Sequence, residues 1–288
     1  MAWDPDLGEE INLNIAVLSG KGGTGKTTIS ANLALALQGN YIDVDVEEPN
    51  GFLFLKPQID HREEVLVNYP MIHKDQCKSC GRCVAICQFN ALAQVGKEIL
   101  VFEKLCHDCG ACKIVCEDQA LTYGQRSIGQ IERGIGNSIH CSRGILEVGE
   151  PMAIPVIRQL LKNSGEGTNI MDCSPGTSCN VVQSLRYADR AILVTEPTAF
   201  GLHDLKRAVA LLRMFLTPFG VIINKEKQEE NQIRQYCQKE NIIIIGSLPY
   251  RKEIATAYSK GEMLYHHPQY KQDFDQIAKR VREVFLWN

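Results

Sequence analysis

The chain has 288 residues, 44% of them hydrophobic, enough to bury a full core as one large domain or as a core with an insertion. A formal net charge of -3 argues against the strongly basic surface of a nucleic-acid-binding protein, and no nucleic-acid partner is expected. The acidic opening "MAWDPDLGEEINLN" lacks the pattern of a secretory signal and no apolar run reaches roughly 18 residues, so stable membrane insertion is not expected either. A cytoplasmic setting keeps thiols reduced, and there twelve cysteines point to metal rather than to disulfides.

The first apolar run, "LNIAVLSG", reads as a strand that ends at "GKGGTGKTT", and "TTISANLALAL" follows with the spacing of a buried helix. The loop fits G-x-x-x-x-G-K-[ST], with Gly20, Gly25, Lys26 and Thr27 in the defining places. Between strand and helix, Gly20 to Thr28 (Gly20, Lys21, Gly22, Gly23, Thr24, Gly25, Lys26, Thr27, Thr28) would wrap the phosphates of ATP. Glycines let backbone N–H groups converge on phosphate oxygens, and the helix N-terminus adds its dipole. Lys26 would neutralise the β and γ phosphates, and the Thr27 hydroxyl would ligate Mg2+.

Next, "YIDVDV" reads as a short strand ending in acids, and "EEPNGFLFLKPQ" as a loop punctuated by Pro49, Gly51 and Pro57. From 70 to 123 the α/β pattern stops and the chain becomes cysteine-rich. It resumes with a helix at "EPMAIPVIRQLLKN" and a strand at "TNIMDCS". Strand "RAILVTEP", helix "HDLKRAVALLRMF", strand "FGVIINK", helix "NQIRQYCQKEN" and strand "IIIIGSLP" follow. Helices near "EIATAYSKG" and "YKQDFDQIAKRVREVFLW" close the chain, the last with Phe274, Ile277, Val281 and Val284 to Leu286 roughly on one face, as in a helix docked on the core. Apolar strands alternating with amphipathic helices predict an α/β fold: a mostly parallel sheet covered by helices on both faces. The cysteine block, 70–123, is then an insert into a discontinuous domain of 1–69 and 124–288.

Within the block, "CKSCGRCVAICQFNAL" recurs 29 positions later as "CHDCGACKIVCEDQAL". Each run has the spacing C-x2-C-x2-C-x3-C, in which three cysteines wrap one cubane cluster and, in two-cluster ferredoxins, the fourth ligates the other. The expected sets are Cys77, Cys80, Cys83 with Cys116, and Cys106, Cys109, Cys112 with Cys87, for two [4Fe-4S] clusters. Gly81 and Gly110, after the second cysteine of each run, allow the tight turn. Zinc sites usually draw C-x-x-C pairs from separated segments, which explains neither the third and fourth cysteines nor the duplication. Gln88 and Glu117 stand where a proline usually follows the fourth cysteine. With little apolar core of its own, the block needs its clusters for stability. Cys173 and Cys237 read as small buried hydrophobes, with Cys141 a further lone cysteine. His266 and His267 read as loop residues, and Cys179 stands apart as a lone thiol.

The extra lysine, Lys21, makes "KGGTGKT" resemble the deviant phosphate loop of the MinD, ParA and nitrogenase iron protein group. That resemblance implies an ATP-dependent dimer, with itself or a related chain, in which Lys21 reaches the partner's nucleotide. It also implies Asp43 near the Mg2+ shell, Asp45 orienting or activating the attacking water, and Asp172 in "MDCSPGTSC" contacting Mg2+ through water. Pro175 and Gly176 would let that second switch follow the γ-phosphate, and Asn224 and Pro249 would meet the base. The stretches "DVDVEEPN", "LFLKP", "VGEPMAIP", "SPGTSC" and "VTEPTAFGLHDLKRAVALL" extend the likeness to MinD-superfamily ATPases carrying an inserted, bacterial-ferredoxin-like α+β domain.

Coupled ATP and cluster sites suggest first a nucleotide-gated electron-transfer protein that serves a redox partner. The alternative is an ATPase that assembles or carries iron-sulfur clusters to an acceptor protein. Such carriers need an exposed, labile C-x-x-C pair at a dimer interface, and here both pairs are committed. A positioning switch of the MinD and ParA kind is a third reading, which leaves the cysteines without a task.

Overall fold

The computed structural model describes residues 12–227 and 231–285; the acidic opening stretch and Leu286 lie outside them. In chain order, β1 (Leu13–Leu18), α1 (Lys26–Leu37), β2 (Asn40–Asp43) and α2 (Phe52–Leu55) lead into a long strand, β3 (Gln58–Ile72). The cysteine region follows, with α3 (Arg82–Ile86), the hairpin β4 (Leu92–Val95) and β5 (Glu98–Val101), and α4 (Ala111–Ile114). A second long strand, β6 (Leu121–Gly136), returns to β7 (Ile139–Leu146), α5 (Ala153–Lys162), β8 (Thr168–Asp172), α6 (Cys179–Leu185) and β9 (Arg190–Thr195). The chain ends with α7 (Ala199–Met214), β10 (Phe219–Glu226), α8 (Gln232–Lys239), β11 (Ile244–Pro249), α9 (Lys252–Ser259) and α10 (Pro268–Phe285).

Nine strands form one sheet in the order β11-β10-β9-β1-β8-β2-β7-β6-β3. The pairs from β11 to β7 are parallel, and β7-β6-β3 are antiparallel. Side chains alternate across each central strand, so β1 feeds two cores. Ile15 and Val17 join a core with Ile29 of α1 and Phe274 of α10; Ala16 and Leu18 join one with Val156, Val181, Leu205 and Ile233 of α5 to α8. Helices on both faces of a mostly parallel sheet agree with the expectation. Phe274, Ile277 and Val281 dock α10 on the core, and among the described residues no helix is long and apolar enough to cross a membrane.

Two segments differ from the sequence reading. "GFLFL" contains the short helix α2 instead of pure loop, because Phe52, Phe54 and Leu55 are buried on the core. The stretches before and after the cysteine block are strands of 15 and 16 residues, β3 and β6, paired from Gln58 opposite Ile135 to Ile72 opposite Leu121. Polar and charged edge residues such as His61, Arg62, Glu63 and Glu64 discourage pairing with another chain, and they also hide the strand from a hydrophobicity reading.

β7 runs parallel to β2 and pairs with β6 only from Gly129 to Gly136. The rest of β6, with its partner on β3, therefore continues past the C-terminal edge of the parallel strands and carries the cysteine region beyond it. A bulge at Ile128 marks the exit, where the register steps from Val65 opposite Gly129 to Leu66 opposite Ser127. Just beyond it Arg126 makes a bidentate ion pair with Glu150, and the two side chains are 12% and 6% exposed. Glu150→Ala leaves a buried arginine unpaired and should destabilise the protein by about 3 kcal/mol in urea unfolding. A loss below about 1 kcal/mol would mean that the ribbon is held by its backbone pairing alone.

Candidate functional site

Parallel sheets place binding sites at the C-terminal ends of their strands, and β1 delivers the glycine-rich loop there. Gly25 sits at the start of α1 with φ 88°, and a Cβ on it would lie 2.2 Å from Nδ2 of Asn224, so only glycine fits. Lys26 opens the helix and is buried, with its ammonium paired to Asp172. Burial pulls the Lys26 pKa down, but Asp172 outweighs it and leaves the group raised. Thr27 and Thr28 are half-buried beside it, while Gly22 and Gly23 are exposed. The Thr24 hydroxyl is buried without a protein partner, as expected of a loop shaped for a polar ligand.

Around Lys26 stands a set of acids. Asp43 and Asp172 lie opposite each other in the β2–β8 register, both 1% exposed. The Tyr41 hydroxyl donates to Oδ2 of Asp172 at 2.9 Å and lies 3.4 Å from Oδ2 of Asp43. The Ser30 hydroxyl lies 2.9 Å from Oδ1 of Asp172, and the Gly51 N–H donates to Asp43 at 2.9 Å. Burial, and then the Asp172 charge, push Asp43 up to about 8. Two facing buried carboxylates with Lys26 as their near cation form a donor set suited to a divalent ion such as Mg2+.

Asp45, two residues on, accepts a hydrogen bond from the Ser174 hydroxyl at 3.0 Å, and Asn180 donates to Glu47 at 3.1 Å. The Gly176 N–H reaches the Ser19 carbonyl at 2.8 Å. The two acid-bearing segments and the phosphate loop thus meet in one place. Lys21 pairs with Glu196 of its own chain, and Lys225 bridges Glu196 at 3.3 Å and the Gly23 carbonyl at 2.7 Å. Asn224 donates to the Thr24 carbonyl at 2.7 Å and accepts from the Lys225 N–H at 2.9 Å, so it braces the loop. Pro249 ends β11; it is Tyr250, beside it, that lines an open pocket with Glu196, Pro197, Thr198 and Lys225. Sequence reasoning missed Tyr41, Ser30, Ser174, Glu196 and Lys225. Only Tyr41 left a signal, lying two residues before Asp43 and hence on the same strand face.

The cysteines gather around two cavities. One is lined by Cys77, Cys80, Cys83 and Cys116, with Ile72, Ile99, Val115 and Leu121 among its apolar walls. The other is lined by Cys106, Cys109, Cys112 and Cys87, with Pro70, Leu92 and Tyr123 nearby. Each cavity draws three cysteines from one run and the fourth from the other. Gly81 and Gly110 take matching left-handed turns, φ 75° and 74°, ahead of α3 and α4. Among the described residues no three His, Cys, Asp or Glu converge closely enough to hold a single ion. Four thiols spaced around an apolar hollow suit a group of several atoms, such as a [4Fe-4S] cluster. Of the others, Cys141, Cys173 and Cys237 are buried, which pushes their thiols up to about 12, 12 and 11, whereas Cys179 is exposed.

Comparison with known proteins agrees on the nucleotide-binding fold. A family model described as the CobQ/CobB/MinD/ParA nucleotide binding domain matches residues 15–264. The uncharacterized protein MJ0579 of Methanocaldococcus jannaschii is 31% identical over 275 residues, 93% of this chain and 97% of that one. The iron-sulfur cluster carrier protein of Aquifex aeolicus is 26% identical over 297 residues, 94% of this chain and 67% of that one. Among solved structures, the septum site-determining protein MinD with Mg-ADP from Pyrococcus horikoshii has a TM-score of 0.58 at 18% identity. It covers 94% of this chain and 96% of that one, a likeness of fold. With a glycine-rich loop in its structural context and a family match along most of its length, this chain belongs to the CobQ/CobB/MinD/ParA family of P-loop nucleotide-binding proteins.

Proposed function

We propose that the chain is an ATP-hydrolysing iron-sulfur protein in which nucleotide-driven pairing of two copies, or of this chain with a related one, gates exchange between the cysteine module and an acceptor protein. The carrying observation is that both cavities are walled by cysteines from both runs and lie beyond the sheet edge that bears the phosphate loop. Residues 70–123 act as a two-[4Fe-4S], ferredoxin-like module on the β3–β6 ribbon. Bound Mg2+ supplies charge neutralisation at the phosphates, and the clusters supply one-electron chemistry or cargo.

The chain's own groups set the sequence of events. Lys26 would give up Asp172 to meet the phosphates, which would leave that carboxylate, at the head of the second switch, placed to hold Mg2+. The Ser174–Asp45 bond then carries the change to the segment that leads into the ribbon. Asp45 holds the attacking water, and Lys21 leaves Glu196 for the partner's nucleotide. Asn224 and the Pro249 turn border the base.

The relative named as an iron-sulfur cluster carrier, alike along 94% of this chain, favours cluster delivery over electron delivery as the exchange. Electron delivery is kept as a second reading, because all eight cysteines of the runs already line the two cavities. Anaerobically loaded protein mixed with apo-ferredoxin separates the two. ATP-dependent gain of iron and sulfide by the acceptor is expected. Reduction of an already loaded acceptor, with the donor's iron unchanged, would establish electron delivery instead; no ATP-dependent exchange of either kind would overturn the gating.

A further inference from the structure

Tyr41 lies on β2 just ahead of Asp43 and is fully buried, its ring in the core that also holds Ile29 of α1. Its hydroxyl stands among the acids beside Lys26. There is room for it only because residue 51 has no side chain: a Cβ on Gly51 would overlap the Tyr41 hydroxyl and ring. The Gly51 backbone, with φ -62°, is open to any residue, so it is the tyrosine and not the turn that requires glycine there.

Lys26, Ser30 and Tyr41 all reach Asp172. Oδ1 meets the Lys26 ammonium and lies 2.9 Å from the Ser30 hydroxyl, while Oδ2 accepts from Tyr41 at 2.9 Å. A serine hydroxyl has a single proton, and Ser30 has a nearer acceptor for it, the Lys26 carbonyl at 2.6 Å. The other acceptor within reach of Tyr41 is Asp43, at 3.4 Å, which already takes the Gly51 N–H at 2.9 Å. Burial, then the Asp172 and Asp43 charges, push the phenol well above its ordinary range, so it stays a donor. The Tyr41 bond is therefore the one that phosphates do not draw away and that no nearer acceptor competes for.

Once Lys26 turns to the phosphates, Asp172, 1% exposed, is a buried carboxylate opposite Asp43 with no cation beside it. A carboxylate in that state needs hydrogen bonds, and those made to a charged acceptor are the strong ones. Resting on the release of Asp172 by Lys26 proposed above, we infer that Tyr41 is a positioning residue for the metal site. Its hydroxyl holds the Asp172 carboxylate while Lys26 exchanges that partner for the phosphates, so nucleotide can bind ahead of the metal. With phenylalanine at this position Asp172 would keep only a share of the Ser30 proton, and the exchange would be favourable only with a divalent ion bound.

The test is equilibrium titration of full-length protein with ADP and with a non-hydrolysable ATP analogue, in excess Mg2+ and in EDTA. Wild type is expected to bind in both, more weakly in EDTA. Tyr41→Phe should lose about tenfold or more in affinity in EDTA, but about threefold or less in Mg2+. An equal loss in both media, or none in EDTA, would make Tyr41 a packing residue and overturn this inference alone. Wild-type protein that binds nucleotide in Mg2+ and not at all in EDTA would do the same. Asp172→Asn examines the release itself: with no carboxylate for Lys26 to leave, it should bind in EDTA at least as tightly as wild type. Weaker binding by that variant would overturn both the release and the inference. A further readout needs no substitution. In NMR of wild-type protein with ring-labelled tyrosine, the Tyr41 hydroxyl proton should move downfield when ADP binds in EDTA, because its acceptor has lost a cation; an unmoved signal from nucleotide-bound protein would overturn the inference even if Tyr41→Phe failed to fold.

Discussion

Lys26→Ala is expected to abolish nucleotide binding, with affinity for Mg-ATP falling by about a hundredfold or more, roughly 3 kcal/mol. The ammonium is the buried cation facing Asp172, with Asp43 opposite that carboxylate, and the phosphate-binding helix begins at this residue. Without it, phosphate charge would enter a site that already holds two carboxylates. Lys21→Ala and Asp45→Ala should behave differently, keeping much of the binding while turnover drops by about a hundredfold to a thousandfold. Lys21 is 36% exposed in its pair with Glu196, so its removal disturbs the free chain by less than about 1 kcal/mol. Equilibrium titration and steady-state hydrolysis separate the two classes, with circular dichroism to confirm folding. Full hydrolysis by the Lys21 variant would eliminate a lysine acting across the dimer.

The second large effect concerns the wiring of the cysteines. Loaded protein should contain about eight irons and eight sulfides, and Cys116→Ala should lower both to about four. Pairs of substitutions identify which site is lost. Cys116→Ala combined with Cys77→Ala should lose no more than either alone, because both thiols line the first cavity. Cys116→Ala with Cys106→Ala should lose everything, because Cys106 lines the second. The opposite pattern would mean that each run ligates a cluster of its own. Complete removal of iron should also unfold the region, since its buried apolar residues, among those described, are Cys83, Ala91, Leu92, Ala120 and Leu121 with a few half-buried neighbours.

The sequence by itself determined the features that lie within a few residues of one another. Strand, glycine-rich loop and helix at 13–37 follow from apolar runs bracketing glycines, and the duplicated cysteine spacing defines which thiols belong to each run. The alternation from 153 to 285 is legible because strands buried on both faces and helices with one apolar stripe leave opposite periodic signals. The β3–β6 ribbon left no such signal, because its outer part is wetted and its sequence mixes charges with Gly124, Gly129, Gly134 and Gly136. Only the fold decided that this ribbon leaves from the edge that holds the phosphate loop, and that the cysteine cavities therefore stand on that side. Only the fold, too, joined Tyr41 to Asp172, Asp45 to Ser174 and Lys21 to Glu196, contacts spanning 129 to 175 positions. Their partners are chosen by strand order and register, which arise from burying two cores at once, and no local pattern of residues encodes that choice.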